Sequence, residues 1–324
     1  MTPRARNLFA MTIFPVVLAA AIAATIAIMR GGVSPAVAFG GPAAAAFLIV
    51  MTLERVIPFH RSWQQSRGDI HVDLGHLLIS GVVGLELLRP LMLGIAVAVG
   101  SLIASNANGG PWPGDWPIVV QLVLALVVGE FFMYWAHRLG HELEWLWRFH
   151  AVHNSAPRLY FLNAARFHPV DLAISNFAPF APLVALGAGP EVLALFALVS
   201  AVHGIFQHAN LPLRLGPLNW FFSMAELHRW HHSRVLEEAN TNYGQNLIVW
   251  DVVFGTRFLP TDREPPEDIG LTGLSAFPMD YLGQLASPFT WRRIERESES
   301  AGPRRSRAEP ASASTDQKPS ILAR

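Results

Sequence analysis

Residues 8–29 run for 22 positions without a charged side chain. A helix needs about 20 consecutive apolar residues to cross a bilayer core, and there its backbone amides must be satisfied internally. No other feature of the chain restricts its fold as strongly. Arg4 and Arg6 precede the run, as they would in a secretory leader, but the run is longer than a leader's apolar core of about 7–15 residues, and Arg30 closes it. The run is therefore read as a first membrane-spanning helix. Gly31, Gly32 and Pro35 mark a turn, and a second apolar stretch covers 35–53. A third covers 74–104, with a kink expected at Pro90. Glu86 and Arg89 within it should face protein or each other, because a charge at the centre of a membrane helix costs about 3 kcal/mol. After a Gly/Pro/Asn-rich loop at 105–116, a fourth span occupies 117–136. Two shorter apolar segments, 172–187 and 190–206, are separated by Gly187, Gly189 and Pro190 and read as a shallow hairpin.

The expected architecture is an all-α membrane protein with about four transmembrane helices, a shorter helical hairpin and a cytoplasmic helical cap. Residues 1–296 would form one integral membrane domain, and the Ser/Ala/Pro/Arg-rich segment 297–324 a disordered tail. Charged residues are only 15% of the chain, against about 25% in soluble domains. Arginines are nearly absent from the turns on one side of this map (30–34, 105–116 and 187–190) and abundant on the other. The positive-inside rule then puts both termini and the histidine-rich face in the cytoplasm.

A formal net charge of zero gives no support to a nucleic-acid partner. Cysteine is absent, which excludes disulfides, thiolate-ligated haem, Cys-ligated iron–sulfur clusters and Cys-based zinc sites. Any metal must be held by His, Asp, Glu or Asn.

Ten of the 13 histidines fall between 137 and 232. They form His137-x-x-x-His141, His150-x-x-His153-Asn154, His203-x-x-x-x-His208 and His228-x-x-His231-His232. Residues three and four apart on a helix share a face, so each close set presents its imidazoles together, and neutral imidazole is a good ligand for iron, zinc or copper. His203 and His208 lie about 140° apart around a helix, so the helix must bend or end, or one of the two is not a ligand. Nine histidines exceed what one tetrahedral ion can use, whereas two ions with four or five ligands each fit the number. His141-Glu142 begins like a zinc-protease motif, but Trp145 stands where a second His would be required. A bis-His haem would leave most of the set unexplained. His168 has no partner at helical spacing and is kept as a possible ligand beside Asn154. His60, His71 and His76 are read as polar residues at membrane ends. Glu130, seven residues before His137 on the same helix face, and Asp251 are candidates to fix a His ring from behind. Trp145, Trp147, Phe149, Trp220, Phe221 and Trp230 could line a lipid portal or form an interfacial belt.

The four boxes, together with Leu162–Pro169, Gln207–Leu211, Asn242–Asn246 and Trp250–Thr256, resemble the fatty acid hydroxylase/sterol desaturase superfamily over about residues 130–260. The loop from Glu54 to Pro58 is similar to that family's first cytoplasmic loop. The resemblance implies a helical membrane domain whose boxes hold two metal ions, iron in active enzymes, with zinc a possible occupant of purified protein. The family's HxxxH box corresponds to His137 and His141, its HxxHH box to His150 and His153, and its last HxxHH box to His228, His231 and His232. An intermediate pair corresponds to His203 and His208. Asn154 departs from the pattern, since the family usually has His there.

The implied activity is O2-dependent hydroxylation or desaturation of an acyl chain, sterol or other isoprenoid lipid. Electrons must come from elsewhere, because the chain has no flavin motif, haem motif or Cys, and the resemblance implies a ferredoxin- or cytochrome-type donor. A transporter would place its ligands at the midplane of its spans, whereas these histidines lie at span ends. A zinc-dependent membrane hydrolase or a non-catalytic metal-binding membrane protein is the remaining alternative.

Overall fold

The computed structural model describes residues 2–84, 87, 90, 94–95, 98–101 and 111–301. Five helices are long and apolar enough to cross a membrane: α1 (Pro3–Arg30), α2 (Pro35–Val56, interrupted at Phe39), α4 (Ile118–Glu142), α6 (Pro169–Leu186) and α7 (Pro190–His208). Between α2 and α4 lies α3 (Ile70–Gly75), which continues as a π-helical segment over His76–Gly84. The rest of the third apolar stretch, with Glu86 and Arg89, is largely outside the described residues. Shorter helices complete the chain: α5 (Glu144–Asn154), α8 (Ala225–His231), α9 (Leu236–Ala239), α10 (Val249–Phe254), α11 (Tyr281–Ala286) and α12 (Trp291–Ser300). α12 covers the first residues of the segment read as a tail, and 302–324 lie outside the described residues. The described residues contain two isolated bridges, Phe222 with Leu247 and Ser233 with Ile269, and no longer strand.

The helix ends follow local chemistry. Thr2 caps α1 by accepting from the Ala5 amide, and Pro3 occupies its first turn, where its missing N–H costs nothing. α6 begins with Pro169, and its N-cap His168 accepts from the Val170 amide. It ends on Gly187 at φ 91°, a left-handed conformation that suits glycine. Helix α7 follows after three residues. The two helices are 18 and 19 residues long, about 27 and 28 Å, so the expected shallow hairpin is a pair of nearly full-length spans. The apolar runs underestimated them because polar end residues such as Asp171 and His208 remain helical.

α7 is the hub of the bundle, packing against α1, α2, α4 and α8. Phe14, Val17 and Leu18 of α1, Val50 of α2, and Leu195 and Phe206 of α7 are buried in one core. α4 has 25 residues, about 37 Å, which exceeds a hydrocarbon core of about 30 Å. It therefore does not stop near 136. It carries His137 and His141 beyond the apolar run as a rigid extension, while α5 and α6 pack beside it.

Candidate metal centre

Eight of the nine box histidines form two groups of four. His137, His141, His150 and His231 make the first; His153, His208, His228 and His232 make the second. Within each group the ligand nitrogens all lie within 4.8 Å of one another. α5 and α8 serve both groups: α5 gives His150 to the first and His153 to the second, and α8 gives His231 to the first and His228 to the second. The groups are neighbours, with ring centroids 5.4 Å apart for His150–His153 and 5.2 Å for His228–His231.

Hydrogen bonds behind the rings fix which nitrogen faces inward. In the first group, Nδ1 of His137 donates to the Tyr243 carbonyl (2.6 Å), Nδ1 of His231 to the Thr241 carbonyl (2.9 Å) and Nδ1 of His150 to Asp171 Oδ2 (3.0 Å). Carbonyl and carboxylate oxygens only accept, so each of these rings carries a proton on Nδ1, and in the neutral ring Nε2 is then the free lone pair. His137 Nε2 is nonetheless 3.1 Å from Nε2 of both His150 and His231. Where these rings are neutral no proton is left to bridge the nitrogens, and a cation among them would relieve the repulsion of their lone pairs. In the second group, His208 Nδ1 faces Asn163 Oδ1 at 3.0 Å and His153 Nδ1 faces the Arg166 carbonyl at 3.3 Å. His228 Nε2 lies 2.9 Å from His208 Nε2 and 3.0 Å from His232 Nε2.

An ion about 2.1 Å from each imidazole nitrogen puts neighbouring ligands about 3.0–4.2 Å apart, so the residues present fit a metal in both groups. Burial, reinforced by the other imidazoles, holds His153, His228, His231 and His232 well below the usual histidine pKa, hence neutral and able to ligate.

Two sequence-read ligands lie elsewhere. His203 is in neither group: it is fully buried, both ring nitrogens lack a hydrogen-bond partner, and it packs edge-on against Phe14 at 5.1 Å. Of that pair, only His208 is brought into a group. His168 caps α6 and approaches the Leu285 carbonyl at 3.3 Å, which makes it structural. Asn154 does reach the site, with its amide nitrogen 3.5 Å from His141 Nε2. His76 is not an interfacial residue: it is buried, with Nδ1 2.9 Å from the Phe167 carbonyl and Nε2 2.8 Å from Gln284 Oε1.

Glu130 and Asp251 act one layer further out than expected, and neither touches a histidine. The Glu130 carboxylate accepts from the amides of Gln245 (3.1 Å) and Asn246 (3.0 Å). Asp251 accepts from the amides of Tyr243 and Gly244, both at 2.8 Å, and from the Thr256 hydroxyl at 2.7 Å. Together they pin the 243–246 loop, whose Tyr243 carbonyl orients His137. Gly244 is obligatory there, since a Cβ would lie 2.2 Å from the Leu247 carbonyl oxygen. The carboxylate that does hold a ring, Asp171, was missed. Its only sequence signal was an acid in the first turn of an apolar helix, shortly after His168-Pro169.

A cavity of about 360 Å³ leads from both groups into the bundle. His137, His150, His153, His208 and His228 line it together with Met133, Phe180 and Phe196 of the membrane helices. The aromatic residues singled out from the sequence do not line it; Trp145, Trp220 and Phe221 are exposed and Trp230 is buried elsewhere.

The sequence model of the fatty acid hydroxylase family matches residues 122–256, the stretch that supplies all eight histidines. An ornithine lipid hydroxylase of Rhizobium tropici is 42% identical over 243 residues, covering 75% of this chain and 72% of the relative. The chain belongs to the fatty acid hydroxylase family. Within that family it is also similar to an alkylglycerol monooxygenase of Danio rerio, 28% identical over 76% of this chain and 54% of the relative. A very-long-chain aldehyde decarbonylase of Oryza sativa subsp. indica is 29% identical over 44% of this chain and 53% of the relative. The chain thus spans about half the length of these last two relatives. No solved structure matches the chain. Family membership and the five apolar helices make this chain a multi-pass membrane oxidoreductase of the fatty acid hydroxylase family.

Proposed function

We propose that the protein is a di-iron lipid hydroxylase in which each four-histidine group holds one ferrous ion and the apolar cavity holds the lipid. One observation carries this reading: an apolar cavity within the membrane bundle ends on two sets of converging imidazole lone pairs. When bound, iron supplies the redox chemistry that activates O2. The chain's own residues do the positioning. Tyr243, Thr241 and Asp171 orient the first group, and Asn163 and Arg166 orient the second. Met133, Phe180 and Phe196 exclude water and direct the apolar part of the lipid toward the histidines. The net reaction takes a lipid C–H bond, O2, two electrons and two protons to a C–OH group and one water.

The similarity to an ornithine lipid hydroxylase makes an ornithine-containing membrane lipid the first substrate to test. With no flavin motif or Cys in the sequence, electrons would come from a separate ferredoxin- or cytochrome-type protein. The arginine distribution supports a cytoplasmic location for the histidine face and both termini. The test is lipid mass spectrometry of cells making ornithine lipid, with and without this chain. A gain of one oxygen atom that is lost in His141→Ala and His208→Ala is the expected result. A loss of two hydrogens would assign desaturation instead, and an unchanged lipid profile would refute the reading.

A further inference from the structure

A second cavity, of about 390 Å³, reaches the same centre by another route and shares no lining residue with the lipid cavity. Glu144 and Trp147 of α5, Asn240, and Trp291, Glu295 and Glu299 of α12 contribute to its walls. The three α12 residues recur every fourth position and so share one helix face. None of these residues belongs to a candidate membrane span. The cavity also touches His141, the one member of the eight histidines that is only partly buried.

That asymmetry bears on how a cation reaches the site. A divalent ion moving through the apolar lipid cavity would lose its water to phenylalanine and methionine walls, at a cost of several kcal/mol or more. The second cavity instead offers carboxylates and leads to an imidazole. His141 Nδ1 lies 3.0 Å from Asn240 Oδ1, which directs its Nε2 lone pair toward the rest of the first group. All four histidines of the second group are buried, and none of them lines this cavity.

We propose that the carboxylate-lined cavity is the inlet through which a divalent metal ion loads the His137/His141/His150/His231 group. The inference rests on the reading of that group as a metal site. Carboxylates along the wall raise the local cation concentration and speed capture, and His141 is the first ligand met. The two groups should therefore fill at different rates.

The test uses the full chain in detergent, stripped of metal and mixed anaerobically with ferrous iron, with bound iron measured after rapid desalting. Two phases are expected, the faster one absent in His141→Ala. The double variant Glu295→Gln/Glu299→Gln should slow the fast phase by on the order of tenfold at low ionic strength, with the difference shrinking in high salt and the slow phase unchanged. Thr272→Trp at the rim, which leaves every carboxylate in place, should slow the same phase. A single phase, a fast phase indifferent to both variants, or equal slowing of both phases would overturn the inlet while leaving the metal sites intact. Failure to bind iron at all would overturn the metal reading and the inlet with it.

Discussion

Replacing Asp171 by Asn keeps the shape of the side chain and removes its charge. Asp171 accepts from His150 Nδ1 at 3.0 Å, and both residues are buried. A hydrogen bond to an ionised acceptor contributes about 1.5–3 kcal/mol and a neutral one about 0.5–1.5, so Asp171→Asn should cost about 1–1.5 kcal/mol. Ligation makes the His150 Nδ1–H a stronger donor, so the part of this loss that depends on ligation lowers metal affinity, by up to about tenfold. Asp171→Ala removes the acceptor and frees the ring, and should approach the hundredfold end of the range seen for such outer partners. The effect should be confined to one ion, since Arg166 and Asn163 hold rings of the other group and Asp171 touches none of them. The assay is equilibrium competition between the full chain and a chelator of known affinity, with metal content as the readout rather than turnover. One site should weaken in the order wild type, Asn, Ala, and the other should stay fixed. Equal weakening of both sites, or no shift in the alanine variant, would refute the role given to Asp171.

Four further outcomes follow from the same geometry. His203→Leu should keep full metal content and match or exceed the wild type in thermal stability by about 1 kcal/mol, because it removes two unpartnered buried nitrogens. His208→Ala should lose one group's metal. Gly204→Leu should retain metal but reduce lipid conversion or shift it to slimmer substrates, measured by product analysis, since Gly204 lines the cavity and a Cβ there meets nothing within 4 Å. Gly244→Ala should lower stability by about 2 kcal/mol or more in thermal unfolding, and metal analysis should show preferential loss from the first group, because the displaced loop carries the Tyr243 carbonyl.

The spans and boxes were legible because each is a local pattern. An uncharged run reports a membrane helix directly, and imidazoles at helical spacing report a shared face. What the sequence concealed were relations between distant segments. Glu130 shares a helix face with His137, which suggested direct contact; in the fold its carboxylate turns to a loop more than a hundred residues away and acts on His137 through that loop. Asp171 reaches a ring 21 positions earlier, and no local pattern announces such a contact. His203 resembled a ligand because His208 was near in sequence, yet its direction around α7 places it against Phe14 on α1.

The division of the histidines between the two groups obeys a rule that sharpens the box pattern and yields one more outcome. Residues four apart on a helix are offset by about 40°, and residues three apart by about 60° in the opposite sense. Each spacing of four keeps its pair in one group: His137 with His141, and His228 with His232. Each spacing of three divides its pair: His150 from His153, and His228 from His231. Position 154 is four after His150, so a side chain there belongs to the first group, and the Asn154 amide does lie beside His141. The Asn found here thus stands in place of a fifth imidazole for that group. Asn154→His should restore it, tightening metal retention in the first group by about tenfold, or about 1.4 kcal/mol, and leaving the second unchanged in chelator competition. Tightening of the second group instead would mean that the spacing rule does not govern which ion a box serves.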